Sequence, residues 1–537
     1  MVAALTAAGL LLWPDGAAPA QSAEPAAAQD APGGGARTGQ ARPEPGAAAA
    51  GPLDTETRHS LTVDGGGFEY IARTGTLTVP SGEAKGGRGR MFFVSYARAD
   101  PDRARRPVTF VFNGGPGAAS AYLHLGLMGP KRLAFAEDGR VAEATRLLDN
   151  AQSWLLFSDL VFVDPVGTGF SRTAPPEGKG KGSKREGGSG DDRSPFWETG
   201  RDLDAFGAFI RLYLSRNDRW LAPVVLAGES YGGFRVAALA DRLQSGFGVS
   251  VRGLVMISPA LELGLLSDDR FRLMPWISRL PSFAAAARRH GKMEAETDGA
   301  GDEGDAFAAV ERFALDSLLP GLAMGRALGD GDRTALLSRA AEYIGLPRDV
   351  VIRYGGRIPS EVFAARLLEN EDRVLSVYDA SIAYPAPHPV DAQYSDPRLA
   401  RISAAIAAAF NHEIRTRLGV KTDLPYEVLN RRISARWVWQ RGGGRQGAPG
   451  ATENLESAFK TVPGLRALIA HGRYDLVTPY FGSAYLVNQL DLDGEPGGRL
   501  ILRTYDGGHM FYSHETARKA FFEDARHLYG KIAGATP

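Results

Sequence analysis

Three residues of this chain, taken in order, have the types and setting that covalent chemistry at a carbonyl carbon requires. Ser230 sits in Gly228-Glu229-Ser230-Tyr231-Gly232, Asp475 follows Gly472-Arg473-Tyr474, and His509 follows Asp506-Gly507-Gly508. A serine hydroxyl is a weak nucleophile at neutral pH and needs a base, which a carboxylate must orient. Each of the three residues leaves the end of a short apolar run: Val224–Ala227, Ala467–Ala470 and Leu500–Tyr505. Asp506 is the alternative acid. His471 lies inside or at the end of its strand and reads as a packed or hydrogen-bonded residue. His514 and His527 fall at or within a terminal helix, and His59, His124, His290, His388 and His412 lie in the wrong segments for the order. No His-Glu-x-x-His or other metal-ligand spacing occurs, so no metal or other cofactor is expected.

The glycines around Ser230 suit a strand-to-helix turn too tight for neighbouring Cβ atoms. Beyond it, Val236, Leu239, Ala240 and Leu243 recur on one helical face. Such a turn lifts the Ser230 hydroxyl above a sheet edge and aims the Tyr231 N–H at an oxyanion. A second N–H is needed, and the loop Asn113–Gly117, after the apolar run Pro107–Phe112, is placed to supply it. Gly115 is the candidate donor, because Pro116 has no N–H to give.

The elements around these loops must form a sheet that brings them together. From about Leu53 to Ala97 the pattern is antiparallel β, with alternation at 68–72 and 76–79 and a stronger strand at 91–96. Pro107–Phe112, Leu160–Val163, Val224–Ala227, Val251–Ile257, Ala467–Ala470 and Leu500–Tyr505 are continuous apolar runs of the buried, parallel kind. Helical patterns lie between them, at Asp202–Leu214, after Ser230, at Tyr480–Leu490 and from Glu515 to about Ile532. Strands alternating with helices predict an open α/β sheet whose active site lies beyond the carboxyl ends of the strands. Residues 53–259 and 442–537 read as two parts of that core. Residues 260–441 are dominated by helices (306–319, 333–344, 360–369 and 398–418) and read as an insertion, or cap, between nucleophile and acid.

Composition bounds the possibilities further. The 62 basic and 62 acidic residues cancel, which argues against nucleic acid or an anionic membrane as the main partner. The absence of cysteine excludes disulfides, Cys-ligated zinc and a thiol nucleophile. Residues 1–20 read as an atypical signal peptide, with an apolar run at 3–13 and Ala18-Pro19-Ala20 before Gln21 but no preceding Lys or Arg. The expected location is periplasmic or secreted, with cytoplasmic the alternative. No segment is long and apolar enough for membrane insertion. Residues 21–52, rich in Ala, Pro and Gly, read as a disordered linker, 175–195 as a mobile loop and 441–452 as a hinge.

FNGGPGAAS (112–120), VDPVGTGFS (163–171), GESYGG (228–233), GRYDLVTP (472–479) and GGHM (507–510) resemble, in family order, the serine carboxypeptidases of peptidase family S10, and the bacterial exported members most. The resemblance implies an α/β-hydrolase fold, a Ser230–Asp475–His509 triad, an oxyanion hole at Gly115 and Tyr231, and release of C-terminal residues from peptides. It also implies that Asn113, Gly114 and Glu229 hold the substrate's terminal carboxylate, best at acidic pH, where a protonated Glu229 can donate to it. The chain departs from the family pattern at three places. Val111 stands for a tryptophan, Ala118 for a cysteine, and Leu127 for the second glutamate that would share a proton with Glu229. An esterase, acyltransferase or other serine peptidase of the same fold, or a non-catalytic binding homologue, remain alternatives.

Overall fold

The computed structural model describes residues 53–63, 66–81, 87–99, 105–174, 194–294, 303–387, 396–439, 448–492 and 496–534. The expectations for 1–52 lie outside these residues, as do those for most of the loop 175–195 and the hinge 441–452. Ten strands make one sheet: β1 (Thr55–Val63), β2 (Gly66–Pro80), β3 (Arg88–Arg98), β4 (Val108–Phe112), β5 (Asp159–Val163), β6 (Arg172–Ala174), β7 (Val224–Glu229), β8 (Val251–Ile257), β9 (Arg466–Gly472) and β10 (Leu500–Tyr505). Their order is β1-β2-β3-β5-β4-β7-β8-β9-β10, with β6 paired to β3. The first three strands are antiparallel, and from β5 to β10 every neighbouring pair runs parallel. A mostly parallel sheet of this order, flanked by helices, is the α/β-hydrolase fold.

The period of two along each strand divides the apolar residues between two cores. Val111, Leu160, Phe162, Val225, Ala227, Val255, Ile257, Leu468 and Ala470 face one side, where helices Pro397–His412 and Glu515–Ile532 cover them. Val108, Phe110, Phe112, Val161, Leu226, Leu254, Met256 and Ile469 face the other, under helices Thr199–Arg216, Tyr231–Arg242 and Thr452–Thr461. Burial on both faces is why these strands read as unbroken apolar runs.

Between β8 and β9 lie helices with an apolar cluster of their own, from Trp276 to Ala383, into which Tyr474, Leu476, Tyr480 and Phe481 also pack. One of these, Met274–Arg289, lies outside the stretches read as helical and carries Pro281 in its interior. Residues 68–72 and 76–79, expected as separate strands, are one strand. A side chain at Gly75 would strike Phe93 at 3.2 Å, so this glycine admits the Phe93 ring rather than turning the chain.

Charge is buried at the amino end of β5, the end opposite Asp164. Asp159 accepts from Arg106 Nε at 3.0 Å and from Arg219, and the Arg219 guanidinium also donates to the Arg106 carbonyl at 2.6 Å. Asp159→Ala would leave two guanidinium groups without their shared carboxylate. It should cost about 3–5 kcal/mol, read as a lower urea-unfolding midpoint, with labelling of Ser230 in the folded protein unchanged.

Candidate active site

Ser230 terminates β7 and caps helix Tyr231–Arg242 with φ 61° and ψ −123°, a conformation that costs a side-chain-bearing residue energy. Neighbouring backbone holds it there. Its N–H donates to the Ile257 carbonyl at 2.9 Å, and its carbonyl accepts from Gly233 and Ala260 at 2.9 and 3.1 Å. The flanking glycines are required by contact. A Cβ on Gly228 would lie 2.2 Å from the Gly232 carbonyl oxygen, and one on Gly232 would lie 2.6 Å from that of Phe112.

Asp475 and His509 meet at the ends of β9 and β10. His509 Nδ1 lies 2.8 Å from Asp475 Oδ2. The other carboxylate oxygen accepts the Val477 and Thr478 N–H groups at 2.8 and 3.0 Å, and the Thr478 hydroxyl donates to Oδ2 at 2.7 Å. The two loops approach closely because they are glycine-rich: a Cβ on Gly472 would lie 1.9 Å from the Gly508 oxygen. Burial pulls the His509 imidazole down, but the charge and hydrogen bond of Asp475, with Glu229 beyond, lift it above its usual 6.5. Asp475 fixes Nδ1 as the protonated nitrogen and leaves Nε2 able to accept a proton.

Ser258 ties this pair to the elbow. Its N–H donates to Ala470, its hydroxyl donates to the His509 carbonyl at 2.9 Å, and its own carbonyl lies 3.0 Å from Thr478 Oγ1. The Ser230 hydroxyl makes no hydrogen bond to His509 or to any other described residue. Such contacts are often long without substrate and tighten when it binds. His471, by contrast, is buried against the Ser483 hydroxyl at 2.8 Å, and burial pushes its imidazole down to about 4. Asp506 lies 3.7 Å from Arg473 Nε, a surface contact apart from His509.

The loop Asn113–Gly117 lies against the elbow. Gly114 is so close that a Cβ would fall 2.7 Å from Tyr231 N and 2.9 Å from Ser230 Cβ. The N–H groups of Gly115 and Tyr231 meet no acceptor among the described residues. The loop is held by residues whose roles are tertiary and so leave little trace in the sequence. Arg235, fully buried, donates to the Asn113 carbonyl at 2.6 Å and pairs with Asp202 at 2.6 Å. Asp164 accepts from the Ser120 N–H and hydroxyl at 2.9 and 2.8 Å, and burial pushes its carboxyl up to about 6. Inclusion in the quoted motifs was the signal for Asp164 and Thr478.

Glu229 is buried beside Ser230. Its Oε2 accepts from Asn113 Nδ2 at 2.5 Å and its Oε1 from the Tyr512 hydroxyl at 2.7 Å. The Asn113 oxygen takes the Leu123 N–H, which turns its amide nitrogen toward Glu229. Burial raises the Glu229 carboxyl to about 7, outweighing His509 and these two hydrogen bonds.

Residues 75–250, which carry the elbow, the Asn113–Gly117 loop and Asp164, match the family model described as serine carboxypeptidase. Over this stretch the chain is similar to the serine carboxypeptidases. Among curated relatives, a serine carboxypeptidase-like protein of Arabidopsis thaliana is 29% identical over 186 residues, 33% of this chain and 34% of that one. The carboxypeptidase Y homolog of Arthroderma benhamiae is 29% identical over 180 residues, 33% of this chain and 31% of that one. The chain thus spans about a third of the length of these family members in alignment. Among solved structures, a peroxisomal α/β-hydrolase of Saccharomyces cerevisiae covers 90% of this chain and is itself covered at 91%, with 11% identity and a TM-score of 0.33.

The close approach of Gly114 yields a sharp test. Gly114→Ala should cut labelling of Ser230 by a fluorophosphonate at least ~100-fold, the scale of losing an oxyanion donor, while the far-ultraviolet circular dichroism stays unchanged.

Proposed function

We propose that this protein is a serine carboxypeptidase that releases C-terminal residues from peptides through an acyl-enzyme on Ser230. The observation that carries the reading is the buried Glu229 carboxyl, adjacent in sequence to Ser230 and lifted to about 7. Near neutral pH it can hold a proton, and with the Asn113 amide and the Gly114 backbone it forms a donor set suited to a carboxylate.

The residues then act in sequence. His509 Nε2 takes the proton of Ser230 as Oγ attacks the peptide carbonyl, while Asp475 stabilises the imidazolium. The N–H groups of Gly115 and Tyr231 receive the oxyanion. Collapse breaks the C–N bond, the leaving amine takes the proton from His509, and the terminal amino acid departs. Water, deprotonated by the same imidazole, cleaves the ester and restores Ser230.

Two titrations bound this chemistry. Activity falls as pH drops through the raised value of His509, because a protonated imidazole cannot act as base. Binding of a free carboxylate weakens above about 7, where Glu229 loses its proton and repels the substrate. A peptide substrate should therefore show a bell near neutrality rather than an acidic optimum.

Ser230→Ala should abolish release of C-terminal residues from N-blocked dipeptides, measured by mass spectrometry; persistent turnover would exclude Ser230 as nucleophile. Wild-type protein should cleave a free-acid peptide far faster than its C-terminal amide, and equal rates would leave a serine hydrolase without a carboxypeptidase's requirement. Glu229→Gln, which cannot ionise, should remove the loss of free-acid hydrolysis above about pH 7.

A further inference from the structure

Leu127, at the position where the family pattern carries a second glutamate, is fully buried in the apolar core. Glu229 nevertheless has a partner, and it comes from elsewhere in the chain. Tyr512 follows His509 by three residues in the turn Phe511–Ser513, and its hydroxyl donates to Glu229 Oε1 at 2.7 Å. Room for the ring is made beside Leu127 itself: a Cβ on Gly126 would fall 2.8 Å from Tyr512 Cε2. We propose that Tyr512 is the positioning residue that takes over from the missing carboxyl and makes Glu229 a single-proton reader of a substrate's C-terminal carboxylate. This rests on the carboxypeptidase reading above.

The chemistry of the two partners differs. A carboxyl partner shares a proton with Glu229 and brings a second negative charge when that proton leaves. A tyrosine hydroxyl lends a hydrogen and brings no charge. Burial, with Glu229 next, raises the Tyr512 phenol well above its usual 10, so it remains a donor throughout the working range. The other groups that act on the pair are His509 and Asp475 from the ends of β10 and β9, Tyr122 from the turn after Ser120, and Arg398 at the start of helix Pro397–His412. Asn113 already donates to Oε2, so both Glu229 oxygens receive a hydrogen in the free protein. The hydroxyl thus favours the ionised carboxyl. It lets Glu229 release its proton at a lower pH than burial alone would set, and it holds the group in one orientation facing Asn113.

The test compares two substrates sharing one acyl group, an N-blocked dipeptide with a free carboxylate and the corresponding methyl ester. The ratio of their kcat/KM values cancels the titration of His509, which serves both, and isolates carboxylate recognition. In the wild type the ratio should fall about tenfold per pH unit above about 7. Tyr512→Phe keeps the ring and loses one hydrogen bond to the charged form, so the bend should move up by about one pH unit. A bend at the same pH in both proteins would overturn the proposal, since a purely packing role moves no titration. Carbon-13 NMR of the Glu229 carboxyl, assigned by its loss in Glu229→Gln, gives the same comparison without substrate. A midpoint raised in Tyr512→Phe, with no release of terminal residues by the wild type, would retire the carboxypeptidase reading and keep the Tyr512–Glu229 coupling. An unmoved midpoint would overturn the coupling itself.

Discussion

The contact on which the site depends is backbone against backbone at the elbow, where Gly228 presses on the Gly232 carbonyl and Gly232 on that of Phe112 so closely that neither tolerates a Cβ. That approach forces Ser230 to φ 61°, a cost of roughly 1–3 kcal/mol that persists only where surroundings over-determine it. Here they do, through hydrogen bonds from Ser230 to the end of β8 and from Gly233 and Ala260 back to it. The same approach leaves the Tyr231 N–H outside the helix ladder and turned toward the Asn113–Gly117 loop. The strained Ser230 and the Tyr231 N–H turned toward the loop are thus two results of one steric constraint. The order of the sheet follows from it as well, because the elbow strand must have β4 on one side and β8 on the other.

Around that constraint the protein buries several ionisable groups. Asp475, His509, Glu229, Asp164 and the Arg235–Asp202 pair are all nearly inaccessible. Their fates differ with the number of hydrogens offered to them. Asp475 receives two backbone N–H groups, a hydroxyl and an imidazole N–H. Glu229 receives two hydrogens and Asp164 three, yet burial still dominates, so their carboxyls rise to about 7 and about 6. A buried carboxyl raised to about 7, as Glu229 is, can hold a proton near neutral pH.

The sequence made the framework readable because two-sided burial writes itself into strands. β8, β10 and the terminal helix lie where apolar runs and helical periodicity placed them. That Asp475 and His509 would meet was legible too, since both leave carboxyl ends of strands and the glycines between permit contact. What stayed hidden depends on distance in space alone. Nothing near Tyr512 marks it as the partner of a residue 283 positions earlier, and Arg235 looks like any polar residue on an amphipathic helix. Gly75 misled for the opposite reason. It is a local signal for a break that a tertiary contact overrides, by admitting Phe93.

The segment between β8 and β9 is more than a cover laid over a finished site. Tyr378 receives the His509 N–H at 2.6 Å on its carbonyl and sets its ring edge-on to the imidazole at 5.4 Å. Val377 and Ala380 bond the backbone of Leu476 and Tyr474, the two neighbours of Asp475, and Ser360 bonds Leu476 again. On the opposite side Val428 and Asn430 bond Ala119 and Gly117, and Ser434 bonds the Pro116 carbonyl. Both halves of the candidate machinery, the acid–imidazole pair and the Asn113–Gly117 loop, are therefore braced from the inserted segment. Variation in this segment must preserve the contacts at Tyr378 and Asn430 if the imidazole and the loop are to keep their geometry.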